Sequence, residues 1–340
     1  MSAGYDKACQ QLRDEPRRWL VTGAAGFIGS ALAEELLALG QDVVGLDSLV
    51  TGHRSNVDQV QAASPHGEKL RFIKADICDL DACVEVLNGV DVVLHQAALG
   101  SVPRSIANPL ATHTNNVTGF VNLLVAAKEA EVQRFVFASS SSVYGDHPAL
   151  PKKEPNIGKP LSPYAVSKRV DELYAQVFAQ VYGMEVVGLR YFNVFGRRQD
   201  PKGQYAAVIP KWISLLASGD PCLVYGDGSN SRDFCYVDNV VQANLLAATG
   251  PSQATGQIYN VGAGGNTDLL ELFEILRDNV ARHRPDAASA ELAYADPRPG
   301  DVPHSQADIT AISEAFGYQP SHDVRTGLSL TVDWFLAKGR

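Results

Sequence analysis

The stretch WLVTGAAGFIGSALAEELLALG, residues 19–40, decides the fold. A short apolar run enters Gly23, Gly26 and Gly29 and passes directly into a helical pattern, which places the glycines at a strand-to-helix turn. Glycine there permits a tight turn, lets the backbone approach a pyrophosphate and lets helix and strand pack closely. The helix N-terminus adds amide donors and the positive end of a dipole. Gly23, Gly26, Phe27, Ile28 and Gly29 are therefore the first candidate cofactor residues.

Asp47 closes the next apolar run, about 20 residues on, where a carboxylate can bond the adenosine ribose hydroxyls. A carboxylate at that position disfavours a 2′-phosphate and favours NAD over NADP. Arg54, in the loop that follows, could receive such a phosphate and keeps NADP open. Asp76 and Ile77, after LRFIKA, are placed to meet the adenine, and Ala97 lies near the end of the run DVVLHQAA.

Outward from this turn, WLVTG, DVVGLD, LRFIKAD, DVVLHQAA, RFVFASS and EVVGLRYF alternate with helical segments up to about residue 195. Runs continuous in Val, Ile, Leu and Phe, rather than alternating, suit strands covered on both faces. The predicted fold is α/β: a Rossmann-like doubly wound parallel sheet with a smaller mixed α/β substrate lobe. The expected division is 17–190 plus 237–262 for the cofactor domain and 191–236 plus 263–338 for the lobe. Within the second half, helices are expected near 208–218, 238–249, 267–282 and 308–316.

The chain has 340 residues, 45% hydrophobic and 20% charged, an ordinary globular composition with material for a sizeable core. A net charge of −9 argues against nucleic acid or an anionic membrane as partner. The five cysteines include no Cys-x-x-Cys pair, so neither a disulfide framework nor a zinc site is expected. His95 and His113 lack ligand spacing and read as core or rim residues, and no metal is predicted. MSAGYDKACQQLRDEPRRW has mixed charge, and no stretch reaches the roughly 18 apolar residues of a membrane span. These features together predict a cytoplasmic protein.

In LSPYAVSKRVDELYAQ, Ser162 is a candidate N-cap with Pro163 at the first helical position, so Tyr164 and Lys168 lie four apart on one helix face. An ammonium beside a phenol shifts its pKa from about 10 toward neutrality and fits it for general-base work. Upstream, FASSSSVYGDH carries four serines, residues 139–142, at the end of a strand.

The combination TGxxGxxG, SSSSVYG and YAVSK resembles the extended short-chain dehydrogenase/reductase family, and within it the UDP-sugar 4-epimerases, nearest the bacterial UDP-N-acetylglucosamine 4-epimerases of surface polysaccharide synthesis. The likeness runs from Trp19 onward. It implies that Ser140 relays a proton between the sugar 4-hydroxyl and Tyr164, with Lys168 as third catalytic residue, while Ser141 and Ser142 hold the sugar and Ser139 serves the backbone. The similar 4,6-dehydratases carry Asp-Glu in place of Ser141 and Ser142, and serines lack that acidity. The implied cycle oxidises C4 to a ketone, rotates the sugar and reduces its other face, with NAD regenerated each turn.

The resemblance also implies a UDP-hexose site. Asn193 and Ser101 would touch phosphate and sugar, Ala207, Val208 and Tyr225 the uracil, Arg232 and Arg298 the diphosphate, and Asp301 the ribose. Ser305 would set the width of the sugar pocket: a bulky aromatic there leaves room only for plain hexoses, whereas serine admits a 2-acetamido group. Asn115 would bond on the cofactor side. The helix LATHTNNVTGFVNLLVAAKEAEV and the helix after Tyr164 would pair in a homodimer as a four-helix bundle. A UDP-uronic acid epimerase, a nucleotide-sugar lyase and a noncatalytic dinucleotide sensor remain as alternatives.

Overall fold

Each of the six apolar runs forms a strand: β1 (Arg18–Thr22), β2 (Asp42–Asp47), β3 (Leu70–Lys74), β4 (Val92–His95), β5 (Arg134–Ser140) and β6 (Val186–Tyr191). The computed structural model describes residues 3–201, 207–296 and 303–337. A seventh strand, Gln257–Val261, joins at the edge of β6, and the order across the sheet is Gln257–Val261, β6, β5, β4, β1, β2, β3. All neighbouring pairs are parallel. The order reverses between β1 and β4, which opens a crevice at their carboxyl ends, beside Gly23 and His95.

Side chains that alternate along a strand enter opposite layers. Trp19, Val21, Val92 and Leu94 join one apolar cluster, with Leu32 and Leu36 of the helix Phe27–Ala38. Leu20 and Val93 join the other, with Phe120, Leu124 and Phe135. Covering both faces is what the unbroken apolar runs require.

Ala3–Asp14, of which the sequence reading noted only mixed charge, is an amphipathic helix that buries Tyr5, Ala8, Cys9 and Leu12. That spacing is one helix face. The helix expected over LATHTNNVTGFVNLLVAAKEAEV divides into Pro109–His113, a π-helical turn Thr114–Thr118 and Gly119–Glu129.

In the second half, helices occupy Val208–Ser218, Val237–Thr249, Leu269–Ala281 and Thr310–Phe316, with a further one at Val324–Ala337. Short strands complete this half: Cys222–Tyr225 beside Leu292–Ala295, and Ser231–Arg232 flanked by Thr267–Asp268 and His304–Ser305. The last pairing sets Ser305 directly opposite Arg232.

Candidate active site

A cavity of about 430 Å³ lies along the β1/β4 crevice. Ten sequence-predicted cofactor residues line it: Gly23, Gly26, Phe27, Ile28, Gly29, Asp47, Asp76, Ile77, Ala97 and Asn115. Its shape depends on the glycine turn. Gly23 has φ +68°, and a Cβ on Gly29 would lie 2.1 Å from the Gly23 carbonyl oxygen. Any side chain at Gly29 would push the helix off the turn and fill the approach to its N-terminal amides.

Asp47 at the end of β2 accepts the Ala25 amide at 3.0 Å and the Leu49 amide at 2.8 Å, one on each carboxylate oxygen. Each oxygen retains further acceptor capacity, and Asp47 lines the cavity. Arg54 is engaged elsewhere: its Nε donates to Asp58 at 2.8 Å, and its guanidinium lies 4.9 Å from the Phe72 ring centre. Glycine turn, helix N-terminus and fixed carboxylate together fit NAD.

Across the crevice, Thr22 and His95 are joined at 2.8 Å between Oγ1 and Nδ1, and Thr22 accepts the amides of Gln96 and Ala97. Burial, with the charge of Lys168 behind it, pushes the His95 pKa down to about 3, so the ring stays neutral and structural. His113 is exposed. Asn115 sits in the π turn with its amide on the Ala111 carbonyl, 2.9 Å away. Its neighbour Asn116 is buried, accepts the Leu99 amide at 2.8 Å and donates to Ser167 at 3.0 Å, which ties the cavity wall to the Tyr164 helix.

That helix, Pro163–Tyr182, begins as its sequence predicts: Ser162 caps the Ala165 amide at 3.1 Å, and Pro163 occupies the first turn. Tyr164 is half-buried and Lys168 buried. Neither belongs to the cofactor cavity wall. Lys168 Nζ donates to the Ala138 carbonyl of β5 at 2.9 Å and to Asp171 at 3.2 Å. The lysine thus pins its helix to β5 two residues before Ser140.

Ser140 accepts the Ser142 amide at 3.2 Å and starts the tight turn Ser141–Tyr144. The Ser142 hydroxyl is enclosed and without a partner among the described residues. Ser139 differs from its expected backbone role. Its hydroxyl donates to Glu172 at 2.6 Å, and Glu172 also takes Arg190 Nε at 2.7 Å and Arg169 at 2.9 Å. A buried carboxylate there needs more donors than one arginine supplies, which consumes the first serine.

Three of the predicted substrate residues, Asn193, Arg232 and Ser305, meet around Asp233. Asn193, with φ +32°, donates to the Asp233 carbonyl at 3.1 Å. The Asp233 amide donates to Ser305 at 2.7 Å, and its carboxylate accepts the amides of Ala263, Gly264 and Ala307. Arg232 reaches the Pro303 carbonyl at 2.9 Å. Lys152, in the loop after the serine turn, donates its amide to Gln306 at 2.8 Å. Segment 304–307 is therefore clamped between the Arg232 strand and the serine loop.

Ser101 caps the helix Val102–Ala107 through the Arg104 amide at 3.2 Å. Ala207 stands at the start of Val208–Ser218 without a side-chain cap, and Tyr225 ends its strand beside Ala295. Arg298 and Asp301 lie outside the described residues. Sequence reasoning missed Arg198, which also lines the cofactor cavity, held by Glu34 at 2.6 Å and Ser30 at 3.0 Å. The paired arginines of FGRRQD were its only signal.

A parallel sheet with a glycine turn, a carboxylate at the end of the second strand and a Tyr-x-x-x-Lys helix docked on a serine-ended strand defines a nucleotide-dependent short-chain enzyme. Residues 19–262 match the NAD dependent epimerase/dehydratase family. This chain belongs to that family, and its cofactor is NAD. It is 37% identical over 323 residues to a putative UDP-glucose 4-epimerase from Methanocaldococcus jannaschii, covering 94% of this chain and 99% of that one. The UDP-N-acetylglucosamine 4-epimerase from Methanobrevibacter ruminantium M1, solved with UDP-N-acetylmuramic acid, superposes with a TM-score of 0.87 at 39% identity, covering 95% and 99% of the two chains. The UDP-glucuronic acid 4-epimerase of Bacillus cereus, solved with UDP-glucuronic acid and NAD, gives 0.84 at 29% identity over 95% and 100%.

Proposed function

We propose that this chain is a UDP-sugar 4-epimerase that interconverts UDP-N-acetylglucosamine and UDP-N-acetylgalactosamine, with weaker turnover of UDP-glucose and UDP-galactose. The observation that carries the reading is the docking of the Tyr164 helix on β5 through Lys168, beside a turn whose side chains at 141 and 142 are hydroxyls rather than carboxylates. Dehydration needs an acid and a base on the sugar, and Ser141 and Ser142 offer neither.

NAD, when bound, supplies a reversible acceptor for the hydrogen at C4. Tyr164 takes the 4-hydroxyl proton by way of Ser140 and later returns it. Lys168, fixed by the Ala138 carbonyl, holds positive charge behind the phenol. Arg232 and Arg298 grip the diphosphate, Asp301 the ribose, and Ala207, Val208 and Tyr225 the uracil. Asn193 and Ser101 border the sugar. The UDP end stays anchored while the hexose turns over, in keeping with a division into a cofactor domain and a substrate lobe.

Ser305 sets substrate choice. Its strand is held by the Asp233 amide and the neighbouring Lys152–Gln306 bond, so the space beyond its small side chain is a fixed width rather than an adaptable one. The product fits a role in supplying N-acetylated sugars to surface polysaccharide.

Val166, Leu173, Val177 and Val181 stand exposed along the helix Pro163–Tyr182, with Ile106 and Leu110 exposed nearby in sequence to Asn115. Such a stripe suits a homodimer formed by paired helices.

The test is proton NMR of the purified protein with UDP-N-acetylglucosamine and no added cofactor. Appearance of UDP-N-acetylgalactosamine supports the reading; turnover of UDP-glucuronate alone would replace the substrate and keep the chemistry. Ser305→Tyr is expected to cut turnover of the acetylated pair at least tenfold more than that of the plain pair, and equal loss on both would remove Ser305 as the gate.

A further inference from the structure

Two neighbouring carboxylates on the helix Pro163–Tyr182 are fully buried and differ in every other respect. Glu172 is saturated by Arg190, Arg169 and Ser139. Burial raises its pKa, but these donors outweigh burial and hold it below the usual range. Among the described residues Asp171 has a single ion-pair partner, Lys168. Its Oδ2 meets Lys168 at 3.2 Å, and its Oδ1 is enclosed without a hydrogen bond among the described residues.

A side chain three positions on from Lys168 points back toward it along the helix, which brings the carboxylate to the lysine rather than to solvent. Lys168 has three N–H donors: one goes to Ala138 and one to Asp171, which leaves a third for a further acceptor. Asp171 is thus the counter-charge of Lys168, the one lysine in the helix Pro163–Tyr182.

We propose that Asp171 is a positioning residue that tempers Lys168, coupling its own proton to that of Tyr164 through the shared ammonium. The proposal rests on the roles assigned above to Tyr164 and Lys168. The chemistry asks for such a device. In an epimerase one phenol must accept the 4-hydroxyl proton and give it back to the sugar oxygen within a single turnover. An ammonium acting without opposition makes the phenolate easy to form but poor at taking a proton, and equally makes the return step depend on little else. A carboxylate that ionises as the pH rises restores proton affinity to the phenol when the lysine would otherwise strip it.

The electrostatics agree in direction. Burial pushes the Asp171 pKa up to about 7 against the pull of Lys168, with Glu172 adding to the rise. From the strands packed against this helix, Arg190 of β6 is committed to Glu172 and His95 of β4 stays neutral. On the helix itself, Arg169 is also bound to Glu172. Lys168 is therefore the cation that Asp171 answers to. Sites coupled in this way titrate as a pair.

The experiment is the pH profile of kcat/KM for the NAD-loaded enzyme and for Asp171→Asn, which keeps an acceptor for Lys168. In the unmodified enzyme the acid limb should be shallower than a one-proton curve. In the variant it should sharpen to one proton and its midpoint should move down by about one pH unit. A variant limb of unchanged midpoint and shape, with only the plateau lowered, would assign Asp171 a packing role and overturn the proposal. A second measurement needs no change at Asp171: titration of holoenzyme carrying tyrosine labelled at ¹³Cζ, with the Tyr164 signal identified by its loss in Tyr164→Phe. Two steps in that signal are expected, and a single step would overturn the coupling. If Tyr164→Phe retains full turnover, the underlying assignment of Tyr164 fails instead.

Discussion

Asp47 and Asp233 both close strands by gathering backbone amides, yet they serve opposite ends. Asp47 takes two amides, one on each oxygen, and faces the cofactor cavity. Asp233 takes three, from Ala263, Gly264 and Ala307, and is sealed from solvent. Loops are assembled around a carboxylate in both cases because an ionised oxygen satisfies several orphan N–H groups at once. What separates a candidate binding residue such as Asp47 from a structural one is its acceptor capacity left over and the cavity it lines. Charge and position at the end of a strand do not distinguish them.

The comparison can be broken most sharply by Asp233→Asn. One oxygen is replaced by a donor that confronts the Gly264 and Ala307 amides, so thermal or urea unfolding should show a loss of about 2–4 kcal/mol. Affinity for NAD should not change. Asp47→Asn should do the reverse: NAD dissociation weakens about tenfold, roughly 1.4 kcal/mol, while unfolding of the cofactor-free protein shifts less than for Asp233→Asn. An Asp47 variant that lost more stability than the Asp233 variant would dissolve the distinction.

A further effect is in pH. Burial pushes the Asp233 pKa up to about 6 despite its three amides, above its usual value of 3.8. The folded state then holds more protons than the unfolded state between those values. The contribution of Asp233 is fully present below 3.8 and is lost as pH rises through 6. The stability advantage of the unmodified protein over Asp233→Asn should accordingly shrink from pH 4 to pH 7, by at most about 1 kcal/mol per unit. An advantage that grew over that range would contradict the raised pKa.

The cofactor side was legible in the sequence because its physics is local. A glycine that must adopt φ +68°, and an aspartate one strand away, are written into a few dozen contiguous residues. The six strands were legible as unbroken apolar runs. The seventh, QIYNV, was not, since its mixed polarity suits a sheet edge. The helix Ala3–Asp14 was obscured by its charges, although its buried face repeats with helical spacing. Asp233, Lys152 and Glu172 were invisible for a different reason. Each draws partners from remote segments: Glu172 joins Ser139 to Arg190, and Asp233 joins Ala263 to Ala307. No spacing rule marks such residues, because tertiary packing chooses their partners.

The π turn at Thr114–Thr118 is, in terms of the chain, one residue more than a regular helix would use. Deleting a single residue there would leave a helix that could still form all its own hydrogen bonds. It would also rotate everything up to Asn115 by about 100° relative to Gly119–Glu129. The cost would fall elsewhere: Asn115 would leave the cofactor cavity, and Asn116 would lose Leu99 and Ser167. At this position the length of the chain is set by the site and not by the helix, so a natural or engineered one-residue gap should spare folding far better than it spares catalysis.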